Sequence, residues 1–314
     1  MRQLEEILRQ IFPLDSAEEE VWQARLASLA ADGQPAEGSA LATARLAGRL
    51  AGRLAGIGRG PLHPHQPLLT VFTAAHGIAM KRKLAEAMPV SAMPVLTMPV
   101  FVVDMGGGND RDQAAVKTMR RPVAISSSDI SRGPAMSIAI ARQAVETGID
   151  LAEEWRQYDL FAISCPSQGA LYAASTIAVR CLGEYKESDL PAGVRAALLT
   201  EILSAACDGR SGLELLSALG GFDLGGAAGL MLALAARRRP IVLADFAAAA
   251  AALVAARLEP FIRDYLFATA VKCPLHQAVL AFLGAPVLDP SQGIDQSVAT
   301  LIAASSLFIE AGHA

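Results

Sequence analysis

The sequence predicts an α/β fold, an open parallel sheet flanked by helices. Three observations carry that reading. Short apolar runs rich in β-formers recur at Leu68 to Ala74, Val100 to Val103, Leu160 to Ile163 and Pro240 to Leu243, each brief enough for a strand buried on both faces. Between them lie longer stretches with apolar residues three and four apart, the helical rhythm of βαβ units. The 314 residues are 53% hydrophobic and 18% charged, which excludes a disordered chain and provides for a large core.

The chain opens helically, with amphipathic spacing over Leu4 to Phe12 and Ala17 to Ala31. Gly and Pro between Asp32 and Gly38 break the pattern, and Ser39 is placed to cap a helix reaching about Ile57. Within it, Arg45, Arg49 and Arg53 stand four apart on one face, the pattern of a solvated stripe opposite leucines. From this rhythm and the family likeness below, residues 1–60 and 285–314 are expected to form a smaller helical part and residues 61–284 the sheet domain.

The formal net charge of -4 gives no general attraction to phosphate backbones, so nucleic acid is not an expected partner. Mean hydropathy is positive, yet neither Leu224 to Ala236 nor Ile241 to Ala256 reaches the ~20 apolar residues of a spanning helix. Both read as buried helices. Met1 to Gln10 holds no continuous apolar segment of the signal-peptide kind, and a cytoplasmic location is expected. Cys165, Cys181, Cys207 and Cys273 show no C-x-x-C spacing, and no metal site is expected.

In an open parallel sheet, ligands gather at the carboxyl ends of the strands. That rule directs attention to Ala75-His76, Asp104 to Asn109, Ser164 to Gly169 and Ala244-Asp245. Between the first two strands Met88-Pro89, Met93-Pro94 and Met98-Pro99 exclude a regular helix. They read as a loop beside the presumed pocket.

The most specific string is Gly220-Gly221-Phe222-Asp223-Leu224, opening a helix that leads through Arg237-Arg238-Arg239 to the strand at Pro240. It resembles the GGF-(D/E)-(I/L) segment of the nicotinate-nucleotide:dimethylbenzimidazole phosphoribosyltransferases. Further likenesses follow in the family's order: Gly38-Ser39 in its P-P-G-S-L-G-R segment, Ala75-His76-Gly77-Ile78 beside A-D-H-G-V, Val103-Asp104-Met105-Gly106 beside I-D-V-G, and Gly133-Pro134-Ala135-Met136 beside G-P-A-M. Together these matches span roughly four fifths of the chain, and their shared order is more specific than any one motif.

The resemblance implies transfer of ribose 5-phosphate from nicotinate mononucleotide to an aromatic lower-ligand base of cobamides, without a cofactor, in a dimer. It also implies substrate contacts at His76, Asp104, Ser128, Gly133, Pro134, Ser164, Gly169 and Asp223. The departures fall on functional positions. Where the family has G-E-(M/L)-G-x-x-N-T-T, this chain has Ser164-Cys165-Pro166-Ser167-Gln168-Gly169-Ala170-Leu171-Tyr172, so a cysteine replaces a glutamate. Where the family places its catalytic glutamate, Gln296 and Ser297 stand, leaving Asp295 or Glu310 as replacement bases. Thr269 to Pro274 likewise replaces the family's S-H-x-S-x-E segment.

A preserved scaffold with a remodelled pocket resembles one subunit of the heterodimeric phenol and p-cresol phosphoribosyltransferases. That likeness implies a weakened chain paired with a glutamate-containing paralogue. The alternatives are a homodimeric transferase with a replacement base and a nucleotide- or base-binding regulatory protein.

Overall fold

In the computed structural model the described residues are 2–32, 39–82, 84, 97–107, 117–183, 185–205, 211–288 and 293–312, with the side chains of 2, 26–45 and 306–312 left aside. Ser39 as a cap, Arg45, Glu310, Cys207, the first two Met-Pro pairs and Gly108-Asn109 therefore lie outside the described residues and side chains.

Six strands form one sheet: β1 (Pro67–Thr73), β2 (Val100–Asp104), β3 (Lys117–Arg120), β4 (Leu160–Ser164), β5 (Ile241–Leu243) and β6 (Leu266–Ala268). Every pairing is parallel, in the order β3-β2-β1-β4-β5-β6. The α/β reading therefore holds, and all four expected strands form. The two edge strands did not announce themselves. β3 is Lys-Thr-Met-Arg, with exposed ends, and carries no apolar run because one side of it has no neighbour. β6 is three buried residues following a 3₁₀ turn, Pro260–Tyr265, too short to register as a period.

The first helices are α1 (Arg2–Leu8), α2 (Ser16–Asp32) and α3 (Ser39–Gly58), followed after β1 by the short α4 (Gly77–Arg82). Between β3 and β4 runs α5 (Ile138–Glu154). Between β4 and β5 lie α6 (Ala170–Leu182), α7 (Ala196–Ala205), α8 (Gly212–Leu219) and α9 (Phe222–Ala236). The chain continues through α10 (Phe246–Leu258), α11 (Pro274–Leu283) and α12 (Ile294–Gly312). α12 packs on α3 and α2, whereas α1 packs on α5 and α9. Gln3 donates to Asp150 at 2.6 Å and Arg142 to Glu5 at 2.7 Å across that contact.

Of the arginine stripe, Arg49 is exposed, but Arg53 turns inward and donates to the carbonyls of Arg263 (2.6 Å) and Asp264 (3.2 Å). Those carbonyls end the 3₁₀ turn before β6, so the stripe is partly a clasp. Arg238, in the left-handed region at φ 56, donates to the carbonyls of Gly56 (3.0 Å) and Ile57 (2.5 Å). The chain before β5 is thereby fastened to the end of α3.

The core centres on α9. Phe222 through Ala235 are all buried, which explains why the helix reads as apolar all round. It touches β1, α10 and α1 and packs most closely on α5. Two glycines permit this approach: a Cβ at Gly229 would stand 1.9 Å from the Val145 carbonyl oxygen, and one at Gly148 1.9 Å from that of Gly226. Among the described residues no helix is long and apolar enough to cross a membrane.

Because the obstruction at Gly229 is backbone, rotamer changes cannot relieve it and the helices must separate. Gly229→Ala is expected to destabilise the fold by about 3 kcal/mol, read from the midpoint of urea unfolding. An unchanged midpoint would refute the contact.

Candidate functional site

The strand order reverses between β1 and β4, whose following loops leave on opposite sides of the crevice. Such a switch point is where open α/β sheets hold ligands. The loops close on each other here. Ser167 Oγ accepts the Ala74 N–H at 2.9 Å, and Gln168 donates to the Leu84 carbonyl at 2.5 Å. Gly169, at φ 93, is the N-cap of α6, and a Cβ on it would lie 2.8 Å from His76 Cβ.

His76 leaves the end of β1 and is 1% exposed. Its Nε2 lies 3.1 Å from both carboxylate oxygens of Asp223, which is fully buried in the first turn of α9. A carboxylate oxygen can only accept, so the hydrogen is assigned to Nε2. Asp223 Oδ1 also receives the Leu224 N–H at 2.9 Å. Gly221, the N-cap of α9, makes the pairing possible, for a Cβ there would stand 2.3 Å from His76 Cε1. The glycines of the Gly-Gly-Phe-Asp string therefore serve close approach to an imidazole.

A second polar group sits at the ends of β4 and β5. Asp245 caps α10, accepting the Ala248 N–H at 2.7 Å, and also accepts the Ser164 hydroxyl at 2.6 Å and the Cys165 N–H at 2.9 Å. Burial raises its carboxyl above the usual range, opposed by these hydrogen bonds. Cys165 is buried, with Sγ 4.0 Å from the Asp223 carbonyl. Burial pushes its thiol well above the ordinary value, and the carboxylates of Asp245 and Asp223 push the same way. A nucleophilic thiolate is disfavoured there.

The remaining expected residues scatter around this centre. Asp104, at the end of β2, accepts the Gly106 N–H at 2.9 Å. Ser128 is exposed and donates its N–H to Ala135 at 2.7 Å, while Gly133 and Pro134 form the turn between them. That turn abuts Gly77, where a Cβ would meet the Ser127 carbonyl oxygen and the Ser128 carbonyl carbon at 2.6 Å. Asp295 lies in the first turn of α12, with its carboxylate accepting the Thr97 N–H (3.0 Å) and hydroxyl (3.3 Å). The structure thus joins His76, Gly169 and Asp223 in one contact, places Ser164 with Asp245, and puts Asp295 at the approach to β2.

Sequence reasoning noted Asp245 as a strand-end position but did not find its role, nor those of Ser167 and Gly221. An aspartate directly before the apolar run of α10 was the available signal, since that is where a helix cap stands. Among the described residues no three His, Cys, Asp or Glu side chains are grouped to hold a metal ion.

A phosphoribosyltransferase family model matches residues 84–305. The chain is a member of that family. The match begins after β1 and His76. A nicotinate-nucleotide–dimethylbenzimidazole phosphoribosyltransferase of Desulfotalea psychrophila is 36% identical over 205 residues, covering 60% of this chain and 58% of the relative. One of the same name from Geobacter sulfurreducens is 31% identical over 204 residues, covering 60% and 57%. This phosphoribosyltransferase family member therefore spans under two thirds of the length of those curated relatives. The crystal structure of nicotinate-nucleotide-dimethylbenzimidazole phosphoribosyltransferase from Thermus thermophilus shares the fold at a TM-score of 0.75 and 22% identity, covering 94% of this chain and 96% of that one. The fold likeness extends over the part that the family match leaves out.

Two outcomes test the site. Cys165 is expected to resist iodoacetamide at pH 8 in the folded protein and to react only after unfolding, as mass spectrometry of the labelled peptide would reveal. The second concerns His276 on α11, whose Nδ1 accepts the Lys272 N–H at 3.2 Å. Burial, and then Lys272, lower its pKa from 6.5 to about 4. The unfolded chain takes this proton near pH 6.5 and the folded chain near 4. The stability contribution is therefore full above pH 6.5 and lost as pH falls toward 4, by about 3 kcal/mol at most. Thermal unfolding across that window should flatten in His276→Asn, and an equal slope in both proteins would contradict the assignment.

Proposed function

We propose that the chain serves cobamide lower-ligand activation, in which nicotinate mononucleotide and a phenolic or benzimidazole base give the base riboside phosphate and nicotinate. Within that reaction it acts as a catalytically weakened subunit, paired with a glutamate-containing paralogue. The names of its relatives and its family membership support the reaction class. One observation supports the weakening: the carboxylates nearest the expected site are already committed. Asp223 holds His76, Asp245 holds Ser164, Cys165 and the α10 cap, Asp104 holds Gly106, and Asp295 holds Thr97.

A general base must reach the proton it removes within hydrogen-bond distance. Asp295 could serve as a replacement base only by giving up Thr97, and the positions where the family resemblance implies glutamates hold Cys165 and the Gln296-Ser297 pair. In a pseudo-twofold pair, one chain can keep the contact surface while its pocket loses catalytic groups.

The test is to incubate nicotinate mononucleotide and phenol, p-cresol or dimethylbenzimidazole with this chain, first alone and then with a glutamate-containing paralogue. Mass spectrometry is expected to find the riboside phosphate only in the mixture. Product at the same rate from this chain alone would overturn the subunit assignment and direct attention to Asp295.

A further inference from the structure

The imidazole of His76 has two nitrogens, and the fold occupies one. Nε2 donates to Asp223 at 3.1 Å, and Asp223 is held in place by the Leu224 N–H. This fixes the tautomer, so in the neutral ring Nδ1 carries a lone pair and is an acceptor. Nδ1 is buried, yet no partner meets it among the described residues. A buried acceptor without a donor is rare in a native fold and calls for a donor from elsewhere.

The surroundings narrow what that donor is. His76 stands at the switch point, pressed by Gly169 on one side and Gly221 on the other. These glycines are the N-caps of α6, 13 residues long, and α9, 15 residues long. Neither cap supplies a side-chain hydrogen bond to its helix. At the start of α9 the Asp223 carboxylate already takes the Leu224 N–H, and at the start of α6 the Ser167 and Gly169 carbonyls take the Ala170 and Tyr172 N–H. The unmet demand at this end of the sheet is therefore for a donor to Nδ1, and a hydroxyl supplies one where an anionic oxygen does not.

We propose that His76 is a substrate-orienting residue whose Nδ1, held as an acceptor by Asp223, receives the 2-hydroxyl of the ribosyl group. This rests on the transferase reading above and names what holds the sugar in this chain. The 2-hydroxyl is the specific partner because it neighbours C1, where transfer occurs, and its hydrogen bonds strengthen as positive charge develops there. His76 forms no bond to the reacting atoms and is therefore a positioning residue. Entry of the sugar requires the Ser167–Gly169 turn to lift from the imidazole. Among the described residues, the hydrogen bonds of Ser167 and Gln168 tie that turn to the β1 side.

The test is calorimetric and needs no turnover. The full chain is titrated with ribose 5-phosphate, 2-deoxyribose 5-phosphate and inorganic phosphate. The decisive variant is His76→Gln, whose amide reaches the place of Nε2 and keeps Asp223 paired while nothing replaces Nδ1. Ribose 5-phosphate is expected to bind about tenfold more tightly than its deoxy analogue. In His76→Gln that ratio should fall to about one, with phosphate affinity and melting temperature little changed. A circular-dichroism melt of His76→Gln establishes that the variant is folded before its ratio is read. An undiminished ratio in folded His76→Gln overturns the assignment of His76 while leaving the transferase reading intact. Failure of the unsubstituted chain to bind either sugar phosphate overturns the assignment of His76, and the paired assay decides the transferase reading separately. Sugar discrimination without product in the paired assay overturns only the transferase reading.

Discussion

A helix buried on every side can carry a charge only if the charge arrives with its partner. α9 is such a helix, and Asp223 in its first turn is the charge. Its position binds the rest of the site together. The carboxylate needs His76, His76 must come from the end of β1, and the approach of the imidazole excludes any side chain at 169 or 221. The sheet order brings β1 beside β4, and the loop after β4 crosses against the imidazole at Gly169. One hydrogen-bonded pair thus joins the end of a strand to the start of a helix and draws a second helix start against it.

Much of this was legible in the sequence because the central elements obey one rule at a time. A strand covered on both faces is a plain apolar run, and the four inner and near-inner strands were all visible as such. The edge strands escaped for the opposite reason. β3 protects its open side with Lys117 and Arg120, which hide it among polar residues. β6 is masked by its brevity, and its outer edge is closed not by a strand but by residues 286–288, with Leu288 N–H reaching the Ala268 carbonyl at 2.8 Å.

The site was legible in its positions and less so in its connections. Strand-end logic located His76, Ser164, Gly169 and Asp245, but pairing is a property of distance in space. His76 and Asp223 are 147 residues apart, and Ser164 and Asp245 are 81 apart. No local pattern couples them. The family likeness supplied Asp223 as an expected substrate contact without its pairing to His76, and it placed Asp295 beside the position where the likeness implies a glutamate, whereas the fold turns that carboxylate toward Thr97.

The arrangement around Cys165 also bears on what that position can accommodate. Its side chain is sealed from water with Sγ 4.0 Å from the Asp223 carbonyl, while its N–H meets the Asp245 carboxylate. A glutamate placed at that one position would enter a dry space beside Asp245 and Asp223, with no cation to meet it among the contacts described. It would be expelled or protonated, and either would disturb the α10 cap. Room for a carboxylate at 165 would come at the expense of Asp245, whose replacement costs α10 its cap. A carboxylate at position 165 and the cap of α10 therefore compete for one dry space.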